Sequence, residues 1–345
     1  MLRRQSIAVA TAAGLVLLVA AGCLKRKETI TVHPDGSVDI KLKYKGEPAE
    51  FETEDALPSA ESGWDVAFEI EKNGDKEKRV LRSERSFAPG QRLPRSYAGA
   101  ADPDSDLCLD FPTTVRTERR PDGTYYHFRR EYAPRTWANV RYWYDRFIND
   151  DIKKLGEKET KDLSLGERVK ITKAFVDAVA HEQVEYSRAA LAKIDPTLAQ
   201  DHWLLARRSL LNVYDAIDLE TIVREYQQLP EKQREEEFER EGQEIEDRAR
   251  AAVCRSLRDS AGYDAARIAE FQTAYDRAYR RYEITNQLGG HGFHIRVRMP
   301  GEIIAHNADR IGDNGAHWEF NGEAFHDRPY ELMITSRVAN DGEGD

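Results

Sequence analysis

The chain has 345 residues, 33% of them charged and 40% hydrophobic, with a formal net charge of −10. That length holds one large domain or two modest ones. The acidic balance argues against nucleic acid as a partner, which needs a basic footprint, and against a broad membrane-hugging face.

Taken from the start, Met1 to Arg4 carries two arginines, and Ile7 to Ala21 is an uncharged, mostly apolar run. At about 15 residues it falls short of the roughly 20 that a spanning helix needs. A positive head, a short apolar body and a small-residue end mark an export signal over residues 1–22. The run closes on Ala20-Ala21-Gly22-Cys23, and Lys25, Arg26 and Lys27 follow at once. This tetrapeptide resembles the lipobox of bacterial lipoproteins, with Ala20 where that family more often has Leu. The resemblance implies cleavage between Gly22 and Cys23 and lipidation of the Cys23 sulfur. The mature chain is then tethered to a membrane. Each buried methylene contributes about 0.8 kcal/mol, and two acyl chains suffice for stable anchoring. Lys25, Arg26 and Lys27 are expected at the headgroups, where a cation near an anionic surface contributes about 1 kcal/mol. Leu24 in place of Asp implies, by the same resemblance, the periplasmic face of an outer membrane where the cell has one.

Residues 23–134 read as β. In "ETITVHPDGSVDIKLKY" apolar residues alternate through Ile30, Val32, Val38, Ile40, Leu42 and Tyr44, with Pro34-Asp35-Gly36 as the turn between them. A second hairpin runs through Val66, Phe68 and Ile70 to Asn73-Gly74 and back through Val80, and a third turns on Pro121-Asp122-Gly123. Phe87 to Phe111, rich in Pro, Gly and Asp, reads mainly as loop.

Residues 135–288 read as a bundle of four or five helices. Trp137, Val140, Tyr144, Phe147 and Ile148 share one face of the first helix. Ser164 and Glu167 have capping-box spacing ahead of a helix reaching Ile194. Asp195-Pro196 is expected to cap and start the next, Asp218 to cap a further piece, and Pro230 to open another. The last helix runs from Asp264 to Gln287 and stops at Gly289-Gly290. Residues 289–338 return to β with "FHIRVRM", "GEIIAH", "AHWEF" and "YELMITSRV". The tail, 339–345, lacks apolar residues and is expected to be disordered.

The order β, α, β predicts an α+β fold: one antiparallel sheet or barrel built from both ends of the chain, with the helices inserted. Its corollary is that the ends of the insertion, near Arg135 and Gln287, lie close in space. The alternative, three units in series, leaves a small final sheet with little core.

With Cys23 lipidated, Cys108 and Cys254 remain, and an exported pair invites a disulfide, against two separate buried thiols. Several groups of residues are candidates for chemistry. "HEQVE" (His181, Glu182, Glu185) comes near a zinc motif, but Glu185 stands where the second imidazole belongs, so a solvated pair one turn apart is the better reading. Glu323 and His326 have di-iron spacing but lie in a β segment. Five of nine histidines, His291, His294, His306, His317 and His326, fall in the last segment, where strand alternation scatters them over both faces. Glu235 to Asp247 reads as a solvated acidic helix face offset by Arg234, Arg240, Arg248 and Arg250. Nucleophile-elbow, phosphate-loop, dinucleotide and paired Cys-x-x-Cys motifs are absent from the sequence. No catalytic residue, metal or cofactor is expected.

Near the end, "MPGEIIAHNADRIGDNGAHWEF" and the strand "YELMITSRV" resemble the close of LppM-type bacterial lipoproteins, matching at Pro300, Gly301, Asn307 and Trp318. "ETITVHPDGSVDI" resembles that family's opening. The resemblance implies an envelope lipoprotein with a small β-rich domain, in contact with lipid or glycolipid. A helical insertion of this size departs from the family. The leading expectation is a non-enzymatic binding or scaffolding module whose helical bundle meets an envelope protein partner. The alternatives are a lipid or glycolipid carrier with a pocket in the β domain, and an envelope hydrolase without a recognisable motif.

Overall fold

The structure, a computed structural model, describes residues 24–51, 57–73, 76–97, 107–312 and 315–340. Gly22 and Cys23 lie outside them.

The three expected hairpins form: β1 (Lys25–Val32) with β2 (Val38–Gly46), β3 (Asp65–Asn73) with β4 (Lys76–Phe87), and β5 (Thr113–Arg120) with β6 (Gly123–Tyr132). In the first turn the Asp35 carboxylate accepts the Ser37 amide at 2.9 Å and the Ser37 hydroxyl at 2.7 Å. The C-terminal segment supplies β7 (Gly292–Arg298), β8 (Glu302–His306), β9 (Arg310–Gly312), β10 (Gly315–Asn321) and β11 (Tyr330–Ala339). Ala339, expected in the tail, extends β11, while residues 341–345 lie outside the described range.

Both ends of the chain build the β unit, as expected, but in two open sheets instead of one sheet or a closed barrel. The first has strand order β3-β4-β2-β1-β7-β10-β9 and the second β5-β6-β11-β8. Strand alternation explains the split. Inward residues of the first sheet (Ile30, Ile40, Ile295, Val297) and of the second (Phe128, Leu332, Ile334) meet in one core, so each apolar face covers the other. The seam is not antiparallel throughout: β1 pairs with β7 in parallel, from Lys25 opposite Gly292 to Thr31 opposite Arg298. A parallel pair needs a long crossover, and here most of the chain lies between its strands. The stretch read as loop between Phe87 and Phe111 also fills the core, burying Leu93, Tyr97 and Leu109.

The ends of the insertion meet. Arg135 Nε donates to Thr285 Oγ1 at 2.8 Å, the Arg135 amide donates to the Phe325 carbonyl at 2.9 Å, and the Arg135 carbonyl accepts the Asp327 amide at 2.8 Å.

Between these ends the described residues form seven helices, more than the four or five expected: α1 (Ala138–Phe147), α2 (Asp150–Gly156), α3 (Leu165–Ile194), α4 (Gln200–Asp215), α5 (Leu219–Gln228), α6 (Glu231–Ala261) and α7 (Ala265–Gly289). Asn149 divides the first expected helix in two, because its side chain accepts the Asp151 and Ile152 amides and so starts a new one. Ser164 and Glu167 form the capping box. Lys158 and the Ser164 backbone and hydroxyl hold the Glu167 carboxyl down at about 2. Asp195 ends α3 instead of starting α4, and its carboxylate takes hydrogen bonds from Thr197 and Tyr263. Asp218 caps α5 through the Thr221 amide.

The described residues divide into a helical unit, Trp137–Tyr282, and a β unit of those before and after it. The last turns of α7 count with the β unit because Ile284 and Leu288 are buried in its core. Among the described residues no helix is long and apolar enough to cross a membrane.

Candidate functional site

The helical unit holds an open, shallow cleft with about 40 Å³ of enclosed space, room for a side-chain-sized group. Its walls come from the first half of α3, from α5 and from the first half of α6. On α5 the spacing of Ile222, Val223 and Tyr226 puts all three on one side of the helix. Leu163, Ile171 and Phe238 complete the apolar surface. The Tyr226 ring meets the edge of Phe238 with centroids 5.8 Å apart, and its hydroxyl donates to Glu241 at 2.7 Å. Burial and that carboxylate push the Tyr226 phenol well up, so it stays a neutral donor.

Two arginines line the cleft, each held by main chain. Arg168 donates from Nε to the Leu163 carbonyl at 3.0 Å and from Nη2 to the Thr160 carbonyl at 2.6 Å. Arg234 Nε donates to the Leu229 carbonyl at 2.7 Å. A guanidinium carries five N–H donors, so both can be oriented by the backbone and still present charge. Among the described residues that line the cleft there is no Cys, His, Asp or Glu. The arrangement can bury an apolar group beside positive charge. Its described lining offers hydroxyls from Thr160, Thr172 and Tyr226 but no carboxylate, imidazole or thiol.

A second polar site lies where α1 docks on α3, and it uses the "HEQVE" residues. Glu185 is buried and accepts Trp143 Nε1 at 3.1 Å and Asn139 Nδ2 at 3.2 Å. Tyr186 donates to Glu182, which also bonds Tyr144. Burial raises the Glu182 carboxyl to about 7 against these two donors. His181 packs against Trp143 and Phe147, with ring centroids 4.2 and 4.9 Å away, and burial lowers its pKa. The solvated-pair expectation is therefore corrected. The aromatic face of α1 buries Glu185 and half-buries His181 and Glu182, which the spacing within α3 alone does not reveal.

In the β unit a charged network crosses the core. Glu28 on β1 and Arg130 on β6 are 6% and 1% exposed and bond at 2.8 Å. Arg130 also donates to the Tyr97 hydroxyl at 2.9 Å and to Thr113 Oγ1 at 2.8 Å, and Tyr97 donates to Glu28. Burial opposes the Arg130 charge, but Glu28, Tyr97 and Tyr132 together outweigh it and hold the guanidinium protonated. Every partner is internal, so this is a structural lock between the sheets.

The remaining sequence candidates are dispersed. Arg26, expected at the headgroups, instead turns into the core. It lies 5.5 Å from the Tyr44 ring and 5.0 Å from the Phe293 ring, with Nη2 3.2 Å from His291 Nδ1. Lys25 and Lys27 remain exposed. His294 pairs with Glu319 at 3.5 Å, and His306 Nδ1 accepts the Ala308 amide at 3.1 Å. Glu323 and His326 flank a single short turn. Among the described residues no three His, Cys, Asp or Glu side chains gather as a metal would need. On α6, Arg240 pairs with Glu237 and Glu244 as the solvated-face reading expects. Cys254 is buried in the helical unit and Cys108 is half-buried in the β unit, both as thiols.

Three of the four residues that carry the LppM-type resemblance, Gly301, Asn307 and Trp318, have structural roles. Gly301 adopts φ 72°, and a Cβ there would lie 2.2 Å from the Arg337 carbonyl oxygen. Asn307 ties the two sheets together: its Oδ1 accepts Trp318 Nε1 at 3.2 Å and the Met333 amide at 2.8 Å, while its Nδ2 donates to the Glu331 carbonyl at 2.7 Å.

No family model matches the chain, and no curated protein matches it. Among solved structures, the NMR structure of the folded domain of Mycobacterium tuberculosis LppM aligns with 93% of this chain and 94% of that one, at 9% identity and a TM-score of 0.26. A score that low carries no argument about fold or function.

Proposed function

We propose that the chain is a lipid-anchored envelope protein, tethered through Cys23, that acts as a non-enzymatic binding module. Its binding site is the cleft among α3, α5 and α6, and its occupant is an apolar segment of a partner protein with a carboxylate beside it. The observation that carries this reading is the composition of the cleft: apolar walls with two backbone-oriented arginines beside them. The carrier reading placed a pocket inside the β domain. That interior is filled by Trp318, Tyr132, Phe128, Phe325 and Leu109, all fully buried, which favours the binding module.

The test is site-specific photocrosslinking in the native envelope. A photoreactive side chain at Val223 should give a discrete protein adduct, and the companion substitution Ile171→Arg should abolish it. A lipid adduct, or no adduct in a correctly folded protein, would sink the reading.

A further inference from the structure

Leu24 follows Cys23 directly in the chain. Leu24 is fully buried, its carbonyl accepts the Gly292 amide at 3.2 Å, and β1 starts at Lys25. A chain tethered through Cys23 therefore has no linker. One residue reaches only about 3.5 Å, so the Leu24 end of the seven-stranded sheet must lie against the surface that holds the acyl chains.

The strand register identifies what else sits at that end. Lys25 is opposite Lys45, which places Leu24 level with Gly46. Gly46 is opposite Arg79, and Arg79 is opposite Ile70. Ile70 thus shares the row of Leu24, the residue after the tether, three strands away, or about 14 Å at ~4.8 Å per strand. Phe68 stands one pleat further in, opposite Leu81 and in the row of Tyr44 and Arg26. Both project from β3, one of the two edge strands of the sheet. At 66% and 60% exposure, Phe68 and Ile70 are the most exposed large hydrophobic side chains among the described residues.

Arg79, half-buried and directly opposite Ile70, is a cation on their face, while Lys25 and Lys78 are exposed on the other face at the same end of the sheet. Glu77 is an acid on the face of Phe68 and Ile70. Glu69 and Glu71 point to the opposite face, where they pair with Arg82 and Lys45. Bulky apolar side chains beside an arginine, at a sheet end that also exposes Lys25 and Lys78, match a bilayer interface, where apolar groups enter the acyl boundary and cations meet the headgroups.

We propose that Phe68 and Ile70 seat in the interface of the membrane that carries the anchor, a second contact that holds the end of the sheet on the bilayer. The proposal rests on the lipoprotein reading, and the experiment separates the two. Full-length protein from its own membranes is reconstituted into vesicles of phosphatidylethanolamine with a minority of phosphatidylglycerol, doped with a phospholipid carrying an acyl-chain diazirine. After photolysis, digestion and mass mapping, lipid adducts are expected in the segment Asp65–Glu71. They should fall about tenfold in the Phe68→Ser, Ile70→Ser double variant, with its thermal midpoint retained because both side chains are exposed.

The same digest reports the acyl mass on Cys23. An acylated Cys23 without adducts in Asp65–Glu71 overturns the docking and leaves the lipoprotein reading intact. Adducts without acylation uphold the docking and remove the tether. Absence of both overturns both. Crosslinks from this segment to a second copy of the chain, in place of lipid, would show β3 to be an edge for self-pairing and would overturn the proposal.

Discussion

Arg130 shows how one side chain can be costly and indispensable at once. It sits between the sheets at 1% exposure, with its donors taken by Glu28, Tyr97 and Thr113. Its worth lies in being paired. Removing one partner of a buried pair leaves an uncompensated charge, at a cost of about 3–5 kcal/mol. Arg130→Met is therefore expected to lower the urea-unfolding free energy by about that amount, whereas Arg130→Met combined with Glu28→Gln should recover most of the loss. Equal loss in the single and double variants would show that Arg130 acts through packing alone. Nothing in the alternation of β1 or β6 announces the pair. The spacing puts Glu28 and Arg130 on inward faces, but only the packing of one sheet on the other brings them to 2.8 Å. Arg26 carries the same lesson: it stands in a basic triplet, yet strand parity turns it into the core beside His291.

At the scale of elements, the docking of α1 on α3 couples stability to pH. The Glu182 carboxyl is raised from 4.5 to about 7, chiefly by burial. The folded state thus holds a proton more tightly than the unfolded chain does. That contribution is complete below about pH 4.5 and is lost as pH rises through about 7. Glu182→Gln keeps an acceptor for Tyr186 and Tyr144 and removes the titration. It should leave stability near that of the native chain at pH 5 and raise it at pH 8 by up to about 3 kcal/mol, read from urea midpoints at the two values. A pH-independent difference would show that Glu182 titrates normally. The sequence made the caps at Ser164 and Asp218 legible because a cap needs only residues three positions apart. It misplaced Asp195, since a Pro after an Asp fits a helix start as well as the stretch following a helix end. It left the cleft unseen, because each wall is an ordinary amphipathic stripe until three helices converge.

For the whole molecule, the insertion is the defining feature. Arg135 and Thr285 touch at 2.8 Å, so the β unit is closed where the helices leave and return. Replacing residues 137–282 with a Gly/Ser linker of about five residues should leave a β unit that unfolds cooperatively and keeps its near-UV circular dichroism. A molten product would show that the helical unit is needed to hold the sheets.

The sequence by itself determined the three hairpins, the order β, α, β and the meeting of the insertion's two ends. These follow from period-two alternation, turn chemistry and the need to cover apolar faces, all of which act over short stretches of chain. Only the tertiary structure decided that the strands divide into two sheets, that β1 lies parallel to β7, and that Glu28 finds Arg130. Those outcomes depend on which distant faces meet. Alternation says which side chains turn inward, and says nothing about what waits for them there.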